Sequence, residues 1–145
     1  IGTGVGGARI VNGRIDANTY GFEPGHQLIF FEAGRDLESY ISGRSLKKQY
    51  KREPSHIIDQ KVWAEVSRYL AYGLANTIVH WSPEIVILGG GGLIKMLPLD
   101  RIKFHLRRTL RIFPEPPTIV KAKLGDSSGL YGALVFLKQN LSPKT

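Results

Sequence analysis

The chain has 145 residues, 42% hydrophobic and 22% charged, a balance typical of a globular domain rather than a disordered segment. It contains no cysteine, which excludes disulfides and thiolate metal sites, and its formal net charge of +8 favours nucleic acid, anionic membranes or phosphorylated small molecules as partners. No apolar run approaches the roughly 20 residues that span a bilayer and no signal-peptide pattern opens the chain, so the expected setting is cytoplasmic, without a membrane. Residues 1–145 read as a single domain, large enough to bury about two-thirds of its unfolded surface. The start at Ile1, inside a strand–turn motif, reads as part of something longer.

In chain order, residues 1–15 read as a hairpin. Val5, Ala8, Ile10 and Val11 are strand-like, and Asn12-Gly13 is a two-residue turn signal before Arg14-Ile15. Residues 16–34 are loop-rich, punctuated by Gly21, Pro24, Gly25 and Gly34. From Asp36 to about Lys48 the pattern turns helical, with Leu37, Tyr40, Ile41 and Leu46 near a 3.6 period and Asp36 as N-cap. The basic run from Arg44 to Arg52 ends at Pro54 and reads as a solvated face. Asp59 to Trp81 is the longest periodic segment, carried by Val62, Val66, Tyr69, Leu70, Leu74 and Ile78. Ser82-Pro83 breaks it, and Glu84 to Leu88 follows as an apolar strand bounded by Gly89 to Gly92. A basic amphipathic helix from Leu99 to Ile112, a strand from Thr118 to Leu124 and a last helix from Gly125 onward complete the α/β alternation, with a frayed tail after Asn140.

Two stretches carry candidate chemistry. Gly2-Thr3-Gly4-Val5-Gly6-Gly7 leaves backbone amides unshielded, as a phosphate cradle requires. It is not a Walker sequence, because no GK[ST] follows, and a glycine-rich turn with no ligand is the plain alternative. Glu23-Pro24-Gly25-His26 offers a carboxylate and an imidazole beside a turn, and Glu38 sits in the first turn of the next helix, where the helix dipole favours a carboxylate. Taken alone, Glu23 reads as a solvated loop carboxylate and His26 as a structural histidine. The Gly89 to Gly92 run lies at the carboxyl end of a buried strand, where α/β folds meet ligands, but it lacks the dinucleotide spacing.

Read together, GTGVGG, EPGH and LESYISG (Leu37 to Gly43) resemble, in order and spacing, the GTGxGG, ExGH and LExxxSG motifs of the ROK (repressor, ORF, kinase) family. Ser82 to Gly91 is similar to that family's NPExIVLGGG block and Leu124 to Ala133 to its GDxAGLxGAA helix start. These five blocks span nearly the whole chain. The resemblance implies the C-terminal lobe of an actin-like, hexokinase-type (ribonuclease-H-like) kinase, a mixed sheet flanked by helices. It implies nucleotide phosphate against Gly2, Thr3, Gly4, Gly6 and Gly7, adenosine near Gly89, Gly90, Gly91 and Gly92, and sugar hydroxyls on Glu23, His26 and Glu38. Carboxylates suit that task because they accept bidentate hydrogen bonds from vicinal hydroxyls.

Two departures stand out. Family members commonly hold a structural zinc with the histidine and a CxCGxxGC segment; the interval Gln27 to Asp36 has no cysteine, so no zinc is expected and packing around Phe30 and Phe31 must hold the loop. The catalytic aspartate of such kinases lies in a DxNA-type motif upstream of GTGxGG, and Asp16, Asp36, Asp59, Asp100 and Asp126 do not match that context. The expectation is therefore the C-terminal half of an ATP- and magnesium-dependent kinase of a hexose or N-acylhexosamine. It would be incomplete alone, completed by an N-terminal lobe, and dimeric as the resemblance suggests. The alternatives are the sugar-sensing domain of a ROK repressor and a non-catalytic, vestigial relative. Direct nucleic-acid binding is disfavoured, because the basic residues alternate with core positions and no recognition motif is present.

Overall fold

The fold is built on the long helix that the apolar periodicity predicts. The computed structural model describes residues 1–16 and 20–141. In it α3 (Gln60–Trp81) starts at Asp59, whose side chain accepts the Lys61 amide, and stops where Ser82 turns left-handed. Val62, Val66, Leu70, Leu74 and Ile78 are buried along it, as the spacing requires, and Trp63 is buried beside them. The Trp63 indole N–H donates to the Ile57 carbonyl at 2.8 Å, so the bulkiest core side chain also satisfies its polar atom.

Against α3 lies α5 (Leu99–Thr109), with Ile102 and Leu106 fully buried. Two of its bases, Arg107 and Arg108, lie in its last turn, where cations suit the helix dipole. The helix stops three residues before the predicted Ile112, because Leu110 already leaves helical geometry ahead of the proline cluster. The strands β5 (Ile85–Leu88) and β6 (Thr118–Lys121) pair in parallel, Ile85 with Thr118 through Leu88 with Lys121. Leu88 and Ile119 turn inward to the same core, and α4 (Gly92–Met96) follows the glycine turn after β5.

The other sheets are two antiparallel hairpins. β1 (Ile10–Val11) and β2 (Arg14–Ile15) close over Asn12 and Gly13, both at positive φ (52° and 75°), the twist-compatible two-residue turn. β3 (Leu28–Phe30) and β4 (Arg35–Asp36) pair Leu28 with Asp36 and Phe30 with Arg35 across an irregular register. This second hairpin lies in the stretch the sequence reads as loop. The helix predicted from Asp36 onward divides into α1 (Glu38–Ile41) and α2 (Gly43–Tyr50), because Ser42 is extended and its hydroxyl caps α2 at the Ser45 amide. The last helix, α6 (Ser128–Leu141), has no buried residue: Leu130, Tyr131, Leu134, Phe136 and Leu137 are all exposed. Most of the tail expected to fray after Asn140 lies outside the described residues.

Candidate functional site

The β3–β4 pairing assembles the site. With Leu28 opposite Asp36, two further steps along antiparallel neighbours bring His26 level with Glu38. The Leu37 amide then donates to the Gln27 carbonyl at 2.9 Å and locks the two segments together. His26 ends the 3-10 turn Pro24–His26, with Glu23 immediately before it. Glu23, His26 and Glu38 therefore come within electrostatic reach of one another.

Glu38 does more than face outward. Its Oε2 accepts the Val5 amide at 2.6 Å, so the carboxylate from α1 is bonded into the middle of the glycine-rich segment. A Cβ on Gly4 would sit 2.7 Å from that same oxygen, so a side chain there would push the Glu38 carboxylate out of its present place. The segment is anchored on both sides: the Gly43 amide donates to the Gly2 carbonyl at 2.8 Å, and the Ile1 nitrogen donates to the Gly89 carbonyl at 2.6 Å. The glycine-rich opening thus runs between the first turn of α2 and the turn after β5. Around Gly2, Gly6, Gly91 and Gly92 the space where a side chain would begin is open, whereas Gly4, Gly7 and Gly90 are closed in by Glu38, Pro24 and Ile1. Thr3 accepts the Arg44 amide through its carbonyl at 3.3 Å. Two groups of uncovered backbone, one on each segment, are what an extended polyphosphate ligand can use.

Asp36 is a part of the site that the sequence reading assigned only as a cap. Its Oδ1 accepts the Ser39 amide at 2.9 Å, so the cap is present, and its Oδ2 is 3.1 Å from His26 Nδ1. The hydrogen bond that the His26 ring donates to Asp36 raises the His26 pKa above the ordinary imidazole value against a smaller desolvation effect, with Glu38, Asp36 and Glu23 adding negative charge nearby. Burial pushes the Asp36 carboxyl up, but the Ser39 amide, His26 and the Ser39 hydroxyl together hold it below the usual carboxylate range. The sign follows. The ionic form of the pair is lost as pH falls through the depressed Asp36 value, and lost again as pH rises through the elevated His26 value.

The hairpin is held partly as expected. Phe30 packs 5.8 Å from Tyr40 and 6.1 Å from Tyr69, and the two tyrosines stack at 4.1 Å. Phe31, by contrast, is 80% exposed, because it sits in the turn beyond β3 where no element covers it. Phe31 therefore does not hold the loop as expected. Among the described residues no cluster of three His, Asp or Glu side chains is arranged to hold a metal ion.

Glu23 also borders a hollow of about 360 Å³ lined by Phe22, Gln27, Thr77, His80 and Trp81. The larger depression, about 670 Å³, lies between Lys103, Arg107 and the proline cluster, and none of the sequence-predicted site residues lines it.

The sequence model of the ROK family matches residues 1–140. The chain belongs to the ROK family. Its relatives include the N-acetyl-D-glucosamine kinase of Yersinia pseudotuberculosis, 33% identical over 172 aligned positions that cover 92% of this chain and 55% of the relative. Among solved structures, the ROK hexokinase of Thermus thermophilus superposes with a TM-score of 0.80 at 26% identity, covering 98% of this chain and 57% of the hexokinase. A ROK family glucokinase from Streptomyces griseus, solved with glucose and AMPPNP, gives a TM-score of 0.75 at 25% identity, covering 97% and 59%. The fold is thus the α/β, actin-like one of ROK hexokinases and glucokinases. This ROK chain spans little more than half the length of the relatives it matches. Among its described residues, no helix is long and apolar enough to cross a membrane.

Proposed function

We propose that this chain is the C-terminal lobe of an ATP-dependent sugar kinase, supplying the sugar-binding residues and the backbone that meets the nucleotide phosphates. The observation that carries the reading is the Glu38–Val5 hydrogen bond, which joins a hydroxyl-seeking carboxylate directly to the glycine-rich segment. In a phosphoryl transfer the acceptor hydroxyl and the transferred phosphate must be held in line, and a carboxylate tied to the phosphate-facing loop couples the two positions. Glu23, His26 and Glu38 bind sugar hydroxyls; Gly2, Thr3, Gly4, Gly6 and Gly7 flank the phosphates; Gly89 to Gly92 pass the adenosine. Magnesium would arrive with the nucleotide, and no zinc is required.

The general base, an aspartate, comes from an N-terminal lobe of the full-length polypeptide. The surface of this lobe supports such a partner. α6 exposes apolar side chains on every side, and the β5 residues Ile85 and Ile87 are 49% and 61% exposed. A surface of that kind marks an interface. The substrate is a hexose or N-acylhexosamine, the setting cytoplasmic and the assembly a homodimer.

The test is Glu38→Ala in the full-length protein, with sugar affinity measured by titration calorimetry. The expected loss is at least ~1–3 kcal/mol, the cost of leaving sugar hydroxyls and the Val5 amide without their acceptor. Unchanged affinity would remove Glu38 from the sugar site.

A further inference from the structure

We infer that Asp36 is a positioning residue that sets both sugar-facing groups, His26 and Glu38, in one rigid unit. The inference rests on the reading of this site as a sugar site and goes beyond it to a residue that touches no substrate. One aspartate makes three connections: Oδ2 to His26 Nδ1 at 3.1 Å, Oδ1 from the Ser39 amide at 2.9 Å, and its carbonyl from the Ser39 hydroxyl at 2.7 Å. The first reaches across the hairpin to the end of the 3-10 turn. The other two fix the opening turn of α1, the turn that carries Glu38. Asp36 is thus the side chain shared by both elements.

The consequence for the imidazole is chemical. An ionised carboxylate only accepts hydrogen bonds, so Nδ1 must carry the proton in either charge state of the ring. The His26 side chain is 62% exposed, and with Nδ1 engaged the nitrogen offered to a ligand is Nε2. When the ring is neutral, Nε2 is an acceptor, matching the two acceptor-only carboxylates Glu23 and Glu38. A site of three acceptors selects a ligand with several adjacent hydroxyls and discriminates against deoxy analogues. When the ring is charged, Nε2 becomes a donor and that match is lost. The charged groups acting on the ring are Asp36, Glu38 and Glu23, all negative.

The experiment compares the natural full-length protein with Asp36→Asn and Asp36→Ala. The readouts are the His26 titration by NMR, the sugar Kd between pH 5.5 and 9 (a window spanning roughly the ordinary imidazole range) and the thermal midpoint. Asparagine keeps one acceptor oxygen, enough for the Ser39 amide or for His26 but not for both in their present places, and removes the charge. It is expected to lower the His26 pKa, to move the inflection of the Kd profile to lower pH with it, and to leave the thermal midpoint close to that of the native protein. Alanine, which removes both connections, is expected to weaken sugar binding about tenfold or more, and Asp36→Glu to recover part of that loss. A His26 titration that moves without any change in the Kd profile overturns the positioning role, as does a Kd profile unaffected by alanine. Failure of the native protein itself to bind any hexose or N-acylhexosamine overturns the sugar reading beneath it, and the unmutated control identifies that case.

Discussion

In the full-length protein, Gly25→Ala is expected to lower stability by roughly 2 kcal/mol or more and to weaken sugar binding at the same time. Gly25 is buried, and a Cβ there would overlap the Val5 carbonyl oxygen and stand 2.9 Å from Val5 Cβ and 3.0 Å from its carbonyl carbon. Backbone cannot swing aside as the tip of a long side chain can, so the methyl must push the Val5 segment away from the Pro24–His26 turn. Overpacking of this kind usually costs about 1–3 kcal/mol, and here relief through the neighbour is limited. The displaced residue is also the one whose amide holds Glu38, so the effect reaches the sugar carboxylate. Gly6→Ala is the matched control: its methyl enters open space, so the thermal midpoint should hold while ATP affinity changes. An unchanged midpoint and unchanged sugar affinity in Gly25→Ala would show that the Val5 contact yields freely.

Trp63→Ala is expected to cost about 3–5 kcal/mol, measured as a shift of the urea midpoint at constant slope. The side chain is 1% exposed in the first turn of α3, and its loss leaves both a cavity and an unpaired Ile57 carbonyl. A domain typically holds only about 5–15 kcal/mol in total, so poor accumulation of the variant would agree with the expectation. Trp63→Phe separates the two contributions, since it restores most of the ring but not the N–H donor. A cost under ~1 kcal/mol for alanine would contradict the packing of α3 described above.

The elements legible in the sequence were those whose signals are local. α3 announced itself through Asp59 and its apolar period, β5 through its unbroken apolar run after Ser82-Pro83, and the first hairpin through Asn12-Gly13. What escaped depends on tertiary context. Ser42 interrupts the predicted helix because its hydroxyl serves as a cap, although the Ser42-Gly43 pair could have signalled the break. The β3–β4 hairpin was hidden because its ladder is short and irregular; alternation of Leu28 and Phe30 before the Gly34 turn was the available hint. Asp36 was read as a helix cap, which it is, but its second oxygen serves a histidine ten residues earlier, and only the hairpin brings them together. The motif residues Glu23, His26 and Glu38 came from family-like spacing, whereas the Glu38–Val5 bond that joins them to the glycine-rich segment required coordinates. α6 shows the limit of periodicity: its apolar residues predict burial, and within this chain they find no cover.

Sugar-dependent release of ADP from ATP by the natural full-length protein decides whether this lobe belongs to a kinase. It would be assayed with magnesium against a panel of hexoses and N-acylhexosamines, beside Glu38→Ala. ADP release is expected to depend on both a sugar and magnesium and to fall sharply in the variant. Sugar binding with no ADP release under any condition would contradict the kinase reading and favour a sugar-sensing role, and absence of both would contradict the site itself.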